Sequence, residues 1–123
     1  MLVDIRIEQF QLLANTHLRV QNHLTVITGN SGSGKSMLIQ AIKFIAGQKT
    51  QTSNRELAGH AHASCTLNQD AWPHILSILP SGQTKHIDTQ SNVTLSRCID
   101  EKGKQLITLN NVTITIKQLQ AIM

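Results

Sequence analysis

The first stretch of the chain alternates with period two. Val3, Ile5 and Ile7 interleave with Asp4, Arg6 and Glu8, which predicts a strand with one buried face. Thr16, Leu18 and Val20 interleave with His17, Arg19 and Gln21 in the same way and predict a second strand, so residues 9–15 are expected to turn the chain. Asn22-His23 then leads into Leu24-Thr25-Val26-Ile27-Thr28, nearly all apolar or β-branched, the composition of a strand buried on both faces. From Lys35 to Ala46 the apolar residues Met37, Leu38, Ile39, Ala41, Ile42, Phe44 and Ile45 cover most of a helical circumference. A buried helix is expected there, with Gly47 as its C-terminal cap.

Polarity then rises. Residues 48–54 read as a loop, and Ala61 to Leu67 as a short strand. Asp70-Ala71-Trp72-Pro73 reads as a helix start, with Asp70 near the N-cap and Pro73 in the first turn. Ile75, Leu76, Ile78 and Leu79 supply its apolar face, and Pro80-Ser81-Gly82 is expected to end it before the polar stretch 83–92. Val93, Leu95 and Ile99 alternate with Thr94, Ser96 and Cys98, and Arg97 falls on the otherwise apolar side. Asp100-Glu101-Lys102-Gly103-Lys104 is a turn, and residues 105–109 form the return strand of a hairpin. Asn110-Asn111 turns again, and Thr115-Ile116-Lys117-Gln118 has the capping-box form that opens a last helix.

Between the buried strand and the buried helix lies Gly29-Asn30-Ser31-Gly32-Ser33-Gly34-Lys35-Ser36, which fits G-x-x-x-x-G-K-[ST]. Gly29 and Gly34 permit backbone conformations closed to other residues, and Gly32 adds close approach. Successive N–H groups can then point inward at an anion, and the following helix presents its positive end to it. In such a loop Lys35 reaches the β- and γ-phosphates and the Ser36 hydroxyl holds Mg²⁺. A Gly/Ser linker before a core helix is the bland alternative, and the order strand, loop, helix argues against it.

Composition narrows the class. At 123 residues the chain is one domain or less, and 40% apolar content supports a core. The aromatic residues are Phe10, Phe44 and Trp72, so that core is aliphatic. No apolar run approaches a membrane span, and the alternating N-terminus is not a signal peptide. Cys65 and Cys98 are too few for a disulfide framework and fit a reducing cytoplasm, as buried structural thiols. The net charge of +4 is compatible with a nucleic-acid partner but forms no dense basic block. Weak DNA binding is the expectation for this chain alone. His60, His62 and Cys65 form H-x-H-x-x-C, which lacks an evident fourth ligand and matches no standard zinc module. Arg97 is open to two readings: an arginine that snorkels to the sheet edge, or one with a role near the nucleotide or a partner.

Taken together, Ile5 to Phe10, Leu24 to Gly29, the P-loop and Leu38 to Gly47 resemble the N-terminus of RecN-type DNA-repair ATPases, of the SMC-like branch of the ABC ATPases. Arg97 sits where that family has an arginine before its hairpin, and Asn110-Asn111-Val112-Thr113 resembles its Asn-Gly turn. The resemblance implies an α/β P-loop NTPase fold, with residues 1–123 as the N-terminal part of a single ABC/SMC-type ATPase head. It implies ATP and Mg²⁺ as ligands and a cytoplasmic, nucleoid-associated role in double-strand break repair and recombination. In the complete protein it implies DNA and a second head, in a homodimer, as partners. The chain departs from the family in carrying no coiled coil, no signature motif and no convincing Walker B pair. Gly103-Lys104-Gln105-Leu106 stands where the family has Gly-Arg-Ser-Arg, with one basic residue fewer. Cys98-Ile99-Asp100-Glu101 superficially resembles a Walker B strand, but Arg97 interrupts its apolar run and a Lys-Gly-Lys turn follows. Two alternatives stay open: a different P-loop protein (a transporter-type ATPase or a small kinase), and a non-catalytic remnant. The strands before the P-loop argue against a kinase. The coding sequence downstream of Met123 would separate a remnant from a fragment.

Overall fold

The computed structural model describes residues 2–10, 13–20, 35–48, 61–100 and 102–123. Its frame is a six-stranded sheet in the order β2-β1-β3-β4-β5-β6. The strands are β1 (Leu2–Phe10), β2 (Leu13–Arg19), β3 (Ala61–Leu67), β4 (Val93–Ile99), β5 (Gln105–Leu109) and β6 (Val112–Thr113). Every neighbouring pair is antiparallel. The helices are α1 (Lys35–Ile45), α2 (Trp72–Ile78), the single turn α3 (Ser81–Thr84) and α4 (Ile116–Ile122). The anticipated strand 24–28 lies outside the described residues.

Period-two alternation gives the sheet two unlike faces. Ile5 and Ile7 of β1, Ala61, Ala63, Cys65 and Leu67 of β3, Val93 and Leu95 of β4, and Ile107 and Leu109 of β5 are all buried. α1 lies against this face across β1, β3 and β4. The small residues Ala61 and Ala63 leave room there for the Phe44 ring, which meets Phe10 at a centroid distance of 5.5 Å. α2 and α4 pack on one another and add Trp72, Ile75, Leu119 and Ile122 to the same core. The opposite face carries Arg6, Glu8, His62, Ser64, Ser96, Cys98 and Thr108, none of them buried.

Several elements differ from the expectation. β1 runs to Phe10 and β2 starts at Leu13, so the connection is shorter than residues 9–15. The β1–β2 ladder continues through Gln9↔Ala14 and Phe10↔Leu13, and a register shift between Ile7 and Gln9 in the β1–β3 pairing moves Phe10 onto the buried face. α1 is not buried all round: Ala41, Phe44 and Ile45 are, but Ile39 is 39% exposed, because only one side of the helix meets the sheet. The start of α2 is prepared by a 3₁₀ turn, Gln69–Ala71, capped by Asn68 Oδ1 on the Asp70 N–H; Asp70 lies next to Ala71, the N-cap of α2, which makes no side-chain cap bond. Pro73 sits in the first turn of α2 as expected. Pro80-Ser81-Gly82 does not simply end α2; it opens α3. Within 83–92, Ser91 accepts the indole N–H of buried Trp72 at 2.8 Å. Asn110 and Asn111 both adopt positive φ, 45° and 69°, which closes the tight turn into β6, a strand not anticipated. The capping box of Thr115 and Gln118 forms as expected.

Candidate nucleotide site and its support

Of the predicted phosphate-binding residues, Gly29, Asn30, Ser31, Gly32, Ser33 and Gly34 lie outside the described residues. Lys35 and Ser36 are the first two residues of α1, so the helix begins where the motif requires. The first turn of α1 contains no acidic residue. Its unpaired N–H groups and positive dipole end therefore face no carboxylate from their own turn, which fits a triphosphate anion.

The other end of α1 is held with unusual thoroughness. Gly47 has φ +90°, and Gly47 N–H donates to Phe44 O while Gln48 N–H donates to Lys43 O. This pair of bonds is the Schellman arrangement, which only a residue tolerating positive φ closes without strain. Gly47 also admits α4: a Cβ there would lie 2.8 Å from Gln120 Cγ, and Gln120 Nε2 donates to Gly47 O at 2.8 Å. Arg97 completes the clamp. Its Nη1 donates to Phe44 O at 2.7 Å and Gln48 O at 2.9 Å, and its Nε donates to Gln105 Oε1 at 2.6 Å. The guanidinium lies 4.4 Å from the Phe44 ring centroid. Burial lowers its affinity for the proton relative to an ordinary arginine. A cation at the negative end of a helix offsets part of that cost.

The snorkelling reading of Arg97 needs revision. β4 is interior to the sheet and Arg97 is 4% exposed, so it does not snorkel to an edge. It sits at the C-terminal end of an 11-residue helix, about 16 Å along the axis from Lys35. Its direct partners are the Phe44 and Gln48 carbonyls at that end and the Gln105 side chain, so it acts on the P-loop helix from behind.

The zinc reading of H-x-H-x-x-C finds no support. His60 lies outside the described residues, His62 and Cys65 are on opposite faces of β3, and no metal-ligating cluster exists among the described residues. Burial pushes the Cys65 thiol up to about 12, with a smaller push from the Asp4 carboxylate, as an inert core thiol requires. Cys98 is only half-buried, against the expectation, and is raised mainly by burial. His62 has other partners: Nδ1 lies 2.8 Å from Glu8 Oε2 and Nε2 lies 3.0 Å from Ser96 Oγ. Alternation alone does not reveal this network, which depends on cross-strand register. Asp100 Oδ1 accepts the N–H groups of Lys102 and Lys104 at 2.9 and 2.7 Å, as a turn residue does.

A family model described as AAA domain matches residues 4–122. The chain is 26% identical over 123 residues to the DNA repair protein RecN of Haemophilus influenzae, covering 99% of this chain and 22% of that protein. It is 27% identical over 130 residues to RecN of Bacillus subtilis, covering 99% and 21%. The chain thus spans about a fifth of the length of these relatives. Among solved structures, an SMC ATPase studied for ATP-driven dimerization and DNA stimulated activation superposes with a TM-score of 0.71. It shares 20% identity, over 98% of this chain and 76% of that one. The fold is that of an SMC-type ATPase head, and the segment is RecN-like along its whole length.

Proposed function

We propose, because this chain belongs to the AAA domain family, that it is the ATP-binding N-terminal segment of a RecN-like DNA-repair ATPase. The observation that carries the reading is the start of α1 at Lys35, directly after the P-loop motif, with no carboxylate in its first turn. In this reading Gly29, Asn30, Ser31, Gly32, Ser33 and Gly34 wrap the phosphates with backbone N–H groups. Lys35 supplies a point charge to the outer phosphates, and Ser36 contributes its hydroxyl to the Mg²⁺ that accompanies ATP. Arg97, Gly47 and Gln120 keep the rear of α1 fixed, so that its N-terminus presents one geometry. Residues 1–123 then form the N-terminal part of one ATPase head. The relatives are named as DNA repair proteins; in this reading the complete protein acts in the cytoplasm in repair of double-strand breaks by recombination, engaging DNA and a second head.

Calorimetry with Mg·ATP tests the reading. Wild-type chain should bind, and Lys35→Ala should abolish measurable binding, because the backbone nest does not replace a positive charge. Unchanged affinity in Lys35→Ala would sink the P-loop assignment.

A further inference from the structure

The open face of the sheet holds a constellation unrelated to the nucleotide site. Three neighbouring strands, β1, β3 and β4, contribute Glu8, His62 and Ser96. Glu8 Oε2 lies 2.8 Å from His62 Nδ1, and His62 Nε2 lies 3.0 Å from Ser96 Oγ. The carboxylate only accepts, so Nδ1 carries the proton and Nε2 is left as the acceptor of the serine hydroxyl. That order, carboxylate to imidazole to hydroxyl, is the arrangement by which a general base activates a serine. We propose that Glu8, His62 and Ser96 form an acyl-transfer triad, with Ser96 Oγ a nucleophile toward small activated acyl esters.

The surroundings define what such a site accepts. Ser64 and Thr108 flank Ser96 directly in the register, one on each side. Their hydroxyls are the donors available to a developing oxyanion. The next row across the same face is His62, Cys98 and Leu106, and Leu106 is 53% exposed. A short aliphatic acyl chain lies naturally over Cys98 and Leu106. An open face gives a small ester direct access to Ser96. In the reaction, Ser96 Oγ forms a bond to the acyl carbon as the bond from that carbon to the leaving oxygen breaks. His62 Nε2 takes the serine proton, Glu8 stabilises the imidazolium, and the proton then passes to the leaving group or to solvent. Water, deprotonated by the same nitrogen, later releases the carboxylic acid and restores Ser96. With a phenolate as leaving group, acylation outruns hydrolysis of the serine ester, so the acyl form should accumulate.

The experiment uses p-nitrophenyl acetate with the 123-residue chain, followed by p-nitrophenolate release and peptide mass spectrometry. The wild-type chain should give a burst approaching one equivalent and one acetyl group on the peptide containing Ser96. Ser96→Ala should lose the burst. His62→Gln keeps a donor and an acceptor for the neighbouring strands but no base, and should acylate about a hundredfold more slowly or worse. Glu8→Gln should fall between. Thr94→Ala, which removes a hydroxyl of the same strand with no contact to His62, should acylate like wild type. Emission of the buried single tryptophan, Trp72, reports whether each variant is folded. Acetylation confined to lysines in the wild-type chain would overturn the proposal, whatever the variants do. So would a folded His62→Gln chain that labels Ser96 at the wild-type rate, which would make the network structural only.

Discussion

At the scale of single residues, Arg97 is the position with most at stake. Its guanidinium is buried, stacks on Phe44 and donates to three oxygens, two of them carbonyls at the end of α1. Truncation to alanine leaves Phe44 O without its second donor, Gln48 O stripped of this one, and a void beside an aromatic ring. Arg97→Ala should cost about 3 kcal/mol, the range in which buried networks fail, measured by urea unfolding followed through Trp72. Arg97→Lys keeps the charge but not the planar fork, and should recover only part of the loss. A loss within about 0.5 kcal/mol for Arg97→Ala would mean that the clamp is incidental. Cys65 makes a second residue-scale prediction. Burial pushes its thiol to about 12, above the value near 9 that it has when unfolded. The folded state therefore binds this proton more tightly. Its contribution is complete below about pH 9 and is lost as pH rises toward 12. The melting temperature of wild type should fall across that window more steeply than that of Cys65→Ala. Parallel curves would remove Cys65 as the cause.

At the scale of elements, the chain was legible wherever periodicity is local and opaque wherever register decides. Thr115 and Gln118 announce the α4 cap because both partners lie within one turn. The P-loop motif points to a helix at Lys35 because spacing and glycine content set that geometry locally. Phe10 was misplaced because a bulge between Ile7 and Gln9 breaks the period-two count. β6 was missed because two residues carry no period, and the strand exists only through two successive positive-φ asparagines. Arg97 is visible as an odd position, but two of its three partners are 49 and 53 residues away and cannot be named from the sequence. Glu8, His62 and Ser96 come from three strands and meet only through the observed pairing. The same scale settles what the β4–β5 hairpin can do. Asp100 Oδ1 is occupied by two N–H groups of its own turn, so it is committed to holding the hairpin tip. The chain should therefore bind Mg·ATP without turning it over. The check is phosphate release by wild type and Glu101→Gln. Mg²⁺-dependent hydrolysis that disappears in Glu101→Gln, with binding retained, would make Asp100-Glu101 a catalytic pair after all.

At the scale of the whole molecule, one face of one sheet organises everything described. α1 lies across the middle strands, α2 and α4 close over the Leu67 end, and a single core joins them. Such a layer protects the faces of a sheet better than its edges. Among the described residues β2 has a neighbour on one side only, and its seven residues are long for an unprotected edge. β6 ends the other side with two residues and offers little to pair with. Apolar surface adds to the liability. A half-open hollow of about 180 Å³ lies between Leu2, Leu67, Ile75, Ile122 and Met123, and Leu76 and Ile39 are exposed elsewhere. Arg19 is an exposed cation on β2 that opposes stacking of two copies, whereas the exposed His17 has its Nε2 3.3 Å from Asp4 Oδ2. The purified chain at neutral pH should therefore self-associate as its concentration rises. Light scattering on a size-exclusion eluate at several loading concentrations measures this directly. Replacing Leu18, half-buried on β2 and opposite Ile5, would confuse edge pairing with core loss, so the informative variant is His17→Pro, whose N–H the register fixed by Val20 N–H on Val3 O turns toward the open edge. It removes one N–H from the strand and blocks extension of the sheet. The association should weaken in that variant if the β2 edge drives it. A wild-type chain that elutes as a monodisperse monomer at every concentration and melts in one sharp transition would show that this sheet already protects its own edge.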